Sequence, residues 1–318
     1  MKAIVVQEGG RLSIVETNGP IVAREQIKIR VHACGVNRAD IMQRKGFYPA
    51  PKGTRNDILG LEFAGVVEAC GEKTSMWKVG DRVMGIVSGE AYAEYVVLHE
   101  RLLLPIPKGL SMEEAACIPE AFCTAYDGLF QQLQLQTGDR VLIHAIGSGV
   151  GDAAYQLAKH RGIHIVGTTR SAWKRERYPD LETGIVVHDG DFISQLAGKV
   201  DGIIDFVGRG YLKQNIKALR PQGTLLILGL LGGVQDECPL GLLLVKRLKI
   251  MGSTLRSRPF EEKLLLMTEF QKRALPLFEQ SILRVTLDSI FSWEEVEKAH
   301  TYMQENANVG KVVLKIKA

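Results

Sequence analysis

Arg140-Val141-Leu142-Ile143-His144-Ala145 leads straight into Ile146-Gly147-Ser148-Gly149-Val150-Gly151-Asp152-Ala153-Ala154. The first six residues are a nearly continuous apolar run, as in a strand covered on both faces. Read from Gly149, the continuation is G-x-G-x-x-A. Gly149 permits a tight turn, Gly151 lets the backbone approach a pyrophosphate, and the small Ala154 lets a helix pack on the sheet. The segment Asp152–Arg161 is a fair helix whose free N–H groups would face phosphate oxygens. A glycine-rich turn without a ligand also fits the motif alone. Its place after a strand, before a helix and at the head of a βαβ pattern favours a dinucleotide, with Gly149, Val150 and Gly151 as contacts.

Further along, apolar strands keep alternating with helical segments, at His164–Thr169, Ile185–His188, Gly202–Val207 and Gly223–Gly229. This predicts an α/β, doubly wound Rossmann domain over residues 119–260. Earlier in the chain the texture is different. Ala3–Val6, Gln26–His32, Ala64–Cys70, Gly80–Val87 and Ala93–Leu98 are short runs broken by glycine, several alternating as half-buried antiparallel strands do. Ser111-Met112-Glu113-Glu114 reads as a helix start. Residues 261–318 hold helical segments and one last strand, Lys311–Ile316. A single short strand cannot bury itself, so it is expected to rejoin the first domain. Residues 1–118 and 261–318 are therefore one β-rich domain, with the nucleotide domain inserted.

The end of the second Rossmann strand selects the dinucleotide. An NAD site wants an acid there, about 20 residues past the glycines, for the ribose 2′-hydroxyl. This chain has Gly167-Thr168-Thr169-Arg170-Ser171-Ala172-Trp173-Lys174-Arg175, with no acid. Arg170, Ser171 and Lys174 suit a 2′-phosphate, and Arg175 offers a further charge. One charge-assisted hydrogen bond there gives NADPH roughly a ten- to hundredfold preference. The bland alternative is a solvated basic helix face.

Composition narrows the partners. The formal net charge is +4 over 318 residues, too small to point to a nucleic acid or a membrane. The longest apolar run, Leu225 to Val234, contains three glycines and covers about half a membrane helix. Met1-Lys2-Ala3-Ile4-Val5-Val6 lacks the pattern of a signal peptide, and a cytoplasmic protein is expected. Five scattered cysteines include no C-x-x-C pair, so neither a disulfide framework nor a structural zinc site is suggested.

The chain resembles the quinone oxidoreductase branch of the medium-chain dehydrogenase/reductase superfamily. Gly35-Val36-Asn37-Arg38-Ala39-Asp40, Gln43-Arg44-Lys45-Gly46-Phe47-Tyr48-Pro49, Leu59-Gly60-Leu61-Glu62-Phe63-Ala64-Gly65-Val66-Val67, Ile118-Pro119-Glu120-Ala121-Phe122-Cys123-Thr124-Ala125-Tyr126 and Asn308-Val309-Gly310-Lys311 carry the likeness. Asn-Arg-Ala-Asp, Ile-Pro-Glu-Ala and Leu255-Arg256-Ser257-Arg258 bring it nearest the tumour-suppressor-induced quinone oxidoreductase subgroup. The resemblance implies that the β-rich domain is GroES-like and that the protein is a homodimer. Zinc-dependent alcohol dehydrogenases of the superfamily carry a catalytic cysteine where Asn37 stands, and a histidine where Leu61 stands in Gly60-Leu61-Glu62. Neither replacement is a good zinc ligand, so no metal is expected. Without a Lewis acid, the easier substrates are conjugated acceptors that take hydride directly.

The resemblance also assigns roles. Asn37 touches the nicotinamide ribose region or holds a water where zinc would sit. Tyr48 lines the substrate pocket and donates a proton, or packs beside Phe47 and Pro49. Thr124 lies beside the nicotinamide, and Asn308 contacts the same half of the cofactor. Gly229 and Leu230 sit at the carboxyl edge of the fifth strand. Arg256 either reaches the phosphates or faces solvent, and the same holds for Arg258. His144 is structural, and His188 stands where the subgroup has a tyrosine near the adenine. The activity implied is NADPH-dependent hydride transfer to a quinone. The alternatives are an NADPH-dependent enone or 2-alkenal reductase and, in another class, a non-catalytic NADPH-binding or RNA-binding protein. The basic runs Lys174-Arg175-Glu176-Arg177 and Lys246-Arg247-Leu248-Lys249 are the features that bear on RNA.

Overall fold

The computed structural model describes residues 1–196 and 198–316. Its packing separates two units: Met1–Cys123 together with the chain from Leu255 on, and Thr124–Thr254. In chain order the first unit supplies β1 (Lys2–Val6), β2 (Leu12–Glu16), β3 (Gln26–Val36), β4 (Glu62–Cys70), β5 (Arg82–Ile86), β6 (Tyr95–His99) and β7 (Leu104–Pro105). The second supplies β8 (Arg140–Ile143), β9 (His164–Thr169), β10 (Thr183–Val186), β11 (Val200–Asp205), β12 (Leu219–Ile227) and β13 (Lys249–Gly252). The chain then returns with β14 (Leu287–Ser292) and β15 (Lys311–Lys315).

The first unit is built on the order β14-β15-β3-β4-β5-β7, with β6 also paired to β3. In β3, Ile27, Ile29, Val31 and Ala33 are fully buried while Lys28, Arg30 and His32 are only half-buried. That period of two is what a sheet with one covered face requires. β15 lies antiparallel to β3, with Leu314 opposite Cys34. The last strand therefore completes the GroES-like unit, and the nucleotide unit is an insertion.

In the second unit the order is β10-β9-β8-β11-β12-β13, parallel throughout. Counted within the unit this is 3-2-1-4-5-6, the doubly wound dinucleotide-binding order, which reverses between β8 and β11. Leu142, Val166, Ile203 and Leu225 are fully buried in its core, as the continuous apolar runs require. His144 clamps the carboxyl end of β8. Its Nδ1 lies 2.9 Å from Thr168 Oγ1 and its Nε2 2.8 Å from Asn215 Oδ1. Asn215 Nδ2 in turn donates to Asp205, which fixes the amide so that Nε2–H donates. Burial lowers the imidazole pKa, so the ring is neutral and structural.

Four strands escape the sequence pattern: β2, β7, β13 and β14. Residues 119–123 and 255–260 pack with the first unit. Phe122 meets Phe278 edge-on at 4.8 Å, and Leu255 and Arg256 are buried. The run Lys246-Arg247 is no solvated helix face. Lys246 Nζ donates to the carbonyls of Ile216, Lys217 and Leu219 at the end of the helix Leu212–Ala218, and Arg247 caps its own helix at φ +52°.

Gly60 shows how tightly the approach to β4 is drawn. Its φ is +99°, and a Cβ would sit 2.5 Å from the Tyr92 ring and 2.7 Å from the Tyr92 nitrogen. Gly60→Ala is expected to cost about 1–3 kcal/mol through strain and overpacking, read as a lower urea midpoint with an unchanged slope.

Candidate active site

Three strand ends of the first unit converge on one ammonium. Lys311, the first residue of β15, is buried, and its Nζ lies 2.6 Å from Glu62 Oε1, 2.7 Å from Asn37 Oδ1 and 3.1 Å from the Val36 carbonyl. Glu62 opens β4 and is fully buried. Its Oε1 also accepts from Asn37 Nδ2 at 2.9 Å, and its Oε2 accepts the Glu120 N–H at 2.8 Å. Burial by itself would lower the Lys311 pKa, but the charge and hydrogen bond of Glu62 outweigh it and hold the ammonium above its ordinary value. All three N–H bonds of the ammonium are donated.

This donor set does not suit zinc. A cation is already seated between the Asn37 and Glu62 oxygens, and a second would repel it. Among the described residues no three His, Cys, Asp or Glu side chains gather around a common point. Asn37 is correspondingly spent within the protein, since its Oδ1 accepts from Lys311 and its Nδ2 donates to Glu62. Its backbone N–H donates to Asp40 at 2.7 Å. These bonds make Asn37 a tie between β3, β4 and β15.

Asp40 is the second buried acid. It accepts from the N–H groups of Asn37 and Gly60 and from the Tyr92 hydroxyl, at 2.7, 3.1 and 3.1 Å. Burial pushes its pKa up to about 6 despite those bonds and the charge of Lys311. The Tyr92 hydroxyl also lies 3.3 Å from His300 Nε2, and burial depresses that imidazole to about 4. The group is sealed and serves as scaffold.

Tyr48 presents the opposite case. It is half-buried, and among the described residues its hydroxyl has no partner. Burial raises its pKa, and the charge of Glu120 adds to this. Neighbouring Phe47 is 72% exposed, so plain packing does not account for the pair. Arg256 sits 5.1 Å over the Tyr48 ring. Its guanidinium donates to the carbonyls of Ser88 (2.6 Å) and Tyr48 (3.2 Å) and to Gln43 Oε1 (2.5 Å). Arg256 is 5% exposed, so it does not face solvent. It is a tie between loops that shapes the surroundings of Tyr48. Arg258 is half-buried and engaged as well. Lys263 Nζ binds the Arg256 carbonyl at 2.8 Å and Ser88 Oγ at 3.3 Å.

The second unit carries the glycine turn. Ala145, at φ +47°, makes the sharp bend, and Gly149 is the first residue of the helix Gly149–His160. A Cβ on Gly151 would lie 2.5 Å from the Ala145 carbonyl and 2.8 Å from that of Ile146, so Gly151 allows the helix to sit on the strand end. Ser148 Oγ accepts from Gly151 N at 3.0 Å. The N–H groups of Gly149 and Val150 have no partner among the described residues, which suits a phosphate at the helix N-terminus. At the end of β9, Arg170 is exposed and Ser171 is half-buried. Lys174 is buried: its chain lies 3.1 Å from a Cβ on Gly147 and its ammonium 5.3 Å from the Trp173 ring. Arg175 stacks over Gly184. Lys174 and Arg175 therefore belong partly to the fold. Thr124 Oγ1 is sealed from solvent without a hydrogen-bond partner, the kind of vacancy a carboxamide fills. Gly229 and Leu230 follow β12, Leu230 being 44% exposed. His188 is exposed at the end of its strand. Asn308, in the first unit, is buried and donates to the Gly310 carbonyl at 2.9 Å. The features of the second unit fit a nicotinamide dinucleotide.

Sequence reasoning passed over Lys311, Glu62 and Glu120 as a cluster. One signal was available: oppositely charged residues head two apolar strands, and such residues are almost never fully buried unless paired.

Comparison with known proteins agrees with this geometry. Residues 23–108 match the alcohol dehydrogenase GroES-like domain and residues 149–271 the zinc-binding dehydrogenase family. The chain is 32% identical to the quinone oxidoreductase of Lama guanicoe, covering 100% of this chain and 98% of that one. Among solved structures, the quinone oxidoreductase of Pseudomonas syringae superimposes with a TM-score of 0.89 at 26% identity, covering 99% of this chain and 100% of the other. The CurK enoyl reductase does so with 0.88 at 25% identity, covering 99% of each.

Lys311→Met would strand the Glu62 carboxylate in the interior. Removing one partner of a buried pair costs about 3–5 kcal/mol, so a matching loss in denaturant unfolding is expected. The double variant Lys311→Met/Glu62→Gln should recover a large part of that loss.

Proposed function

The chain belongs to the medium-chain dehydrogenase/reductase superfamily, with relatives named quinone oxidoreductase, and is an oxidoreductase of a family that binds a nicotinamide cofactor; from this we propose that it uses NADPH to reduce a quinone without zinc. Arg170 carries the choice of cofactor. It stands exposed at the end of β9, where an NAD site needs a carboxylate. The helix N-terminus at Gly149 and Val150 receives the pyrophosphate, and Thr124, Gly229 and Leu230 line the nicotinamide side. The bound dinucleotide supplies hydride. Tyr48 offers the unspent hydroxyl for the acceptor, while Lys311 stays tied to Glu62, Asn37 and Val36.

A second reading, reduction of enones or 2-alkenals, has its own support. The CurK enoyl reductase shares the fold over nearly the whole chain, and the Tyr48 hydroxyl can donate a hydrogen bond to an enolate oxygen. Catalytic efficiencies for naphthoquinones against short enones and enals separate the two. Tight NADPH binding with no turnover of either class would reject both.

A second copy of this chain is the proposed partner. β13 ends the parallel sheet, and Ile250 on it is 37% exposed. On the adjoining helix Leu240–Lys246, Leu244 is 78% and Val245 77% exposed. Pairing of two such edges would cover them. No described helix is long and apolar enough to cross a membrane.

Arg170→Ala is expected to lower the NADPH-over-NADH ratio of kcat/KM roughly ten- to hundredfold, with NADH use nearly unchanged. Val245→Asp is expected to turn a dimer into a monomer in light scattering, with the fold retained by circular dichroism.

A further inference from the structure

Glu120 is the second residue of the helix Pro119–Tyr126, and its position is set from below. Its N–H is bound to Glu62 Oε2 at 2.8 Å, so the ion pair that closes the sheet also anchors this turn. The carboxyl group itself is different. Among the described residues it has no hydrogen-bond or ion-pair partner, yet its oxygens are not among the sealed, unpartnered polar atoms. The residue is half-buried. It therefore keeps an unspent carboxyl whose oxygens are not sealed from solvent.

Every neighbouring element contributes a charged or titratable group. Glu62 on β4 and Asp40 on the helix Arg38–Arg44 favour the protonated acid, while Lys311 on β15 and Arg256 favour the carboxylate. Lys263, on the helix Phe260–Arg273, and the Tyr48 phenol also feel its charge. Neither Lys311 nor Arg256 bonds to it: the N–H groups of the first are all donated, and the second is turned to Gln43, Ser88 and Tyr48. Burial dominates, ahead of the charge of Glu62, and the carboxyl is raised to about 8. At neutral pH it holds its proton, and an acid near the working pH is the efficient kind of donor. The Tyr48 phenol, pushed upward by burial, is much the weaker acid.

We propose that Glu120 is the proton donor to the reduced acceptor, a role that rests on the reductase reading above. A quinone that has gained hydride, two electrons and one hydrogen nucleus from the dinucleotide, is a hydroquinone monoanion. The O–H bond of the Glu120 carboxyl breaks, a new O–H bond forms on that anion, and neutral hydroquinone leaves. The dinucleotide is oxidised, the acceptor is reduced, and the Glu120 carboxylate regains its proton from water. With an enone the same proton goes to the α-carbon of the enolate.

Two measurements test this role. The first is infrared spectroscopy of the cofactor-free wild-type protein against pH. A protonated carboxyl band should persist at pH 7, fade around pH 8 and be missing from Glu120→Gln, an uncharged variant of nearly the same shape. The second is pre-steady-state NADPH oxidation with a naphthoquinone and with a short enone. The wild-type rate should fall above about pH 8, and Glu120→Gln should be slower by about 10²-fold with a flat profile and unchanged NADPH affinity. A wild-type carboxyl already ionised at pH 7 overturns the proposal even if the variant fails to fold. An active wild type matched by Glu120→Gln in rate and pH profile overturns it while leaving the reductase reading intact. A wild type that binds no dinucleotide and reduces neither acceptor overturns that reading, and this role with it.

Discussion

The first unit depends on one buried ion pair. Lys311 and Glu62 each open a strand and meet at 2.6 Å with almost no exposure. A charge taken from water is tolerated only when its hydrogen-bonding capacity is satisfied. Here the ammonium gives one N–H to Glu62, one to Asn37 and one to Val36, while Glu62 accepts from Asn37 and from the Glu120 backbone. The strands β3, β4 and β15 and the helix Pro119–Tyr126 are thereby fixed in a single register. Slippage by one residue in any of them would leave a buried charge unpaired.

A second device works by the same rule on loops. The Arg256 guanidinium binds two carbonyls and an amide oxygen from segments around Gln43, Tyr48 and Ser88. Loops rarely carry enough apolar surface to order themselves, and a planar group with five donors can replace that surface. The result is a Tyr48 ring held under a cation with its hydroxyl left free. In the second unit, order comes from the parallel sheet and from His144, whose two nitrogens join β9 to the helix Leu212–Ala218. The fixed strand ends then present the helix N-terminus at Gly149 and the exposed Arg170 as unspent groups.

Much of this was legible in the sequence, for reasons that particular residues make clear. β9 was read to the residue because His164–Thr169 is a short apolar run bounded by turn residues. The dinucleotide turn was legible because glycines between a strand and a helix have few other uses. β13 was not, since Lys246-Arg247-Leu248-Lys249 looks like a solvated face until Lys246 is seen capping a neighbouring helix. β14 was missed because its residues are mostly half-buried, so no strong alternation marks it. The site was read least well where a role depends on a distant partner. Asn37 was assigned by its place in a motif, but its side-chain bonds are set by Lys311, far along the chain. Arg256 offered two readings from its sequence, solvent or phosphate, and the structure takes it out of solvent, among Gln43, Tyr48 and Ser88.

A lysine held by an acid and an amide differs chemically from a bound metal ion. A zinc ion in such a position keeps a coordination site open for substrate and polarises it. The Lys311 ammonium keeps nothing open. All its N–H bonds end on protein oxygens, so it can neither bind an acceptor oxygen nor release a proton without breaking the sheet it holds. Its charge stabilises the fold and is largely neutralised by Glu62. Stabilisation of an acceptor that has taken up negative charge must then fall to groups whose bonds are still unspent. In the first unit, the Tyr48 hydroxyl and the Glu120 carboxyl meet that condition beside the positive charge of Arg256. They are acids rather than Lewis acids. On the proposed reading, such a site suits acceptors that already delocalise the incoming electron pair and need only a proton to finish, rather than an alcohol that must lose one.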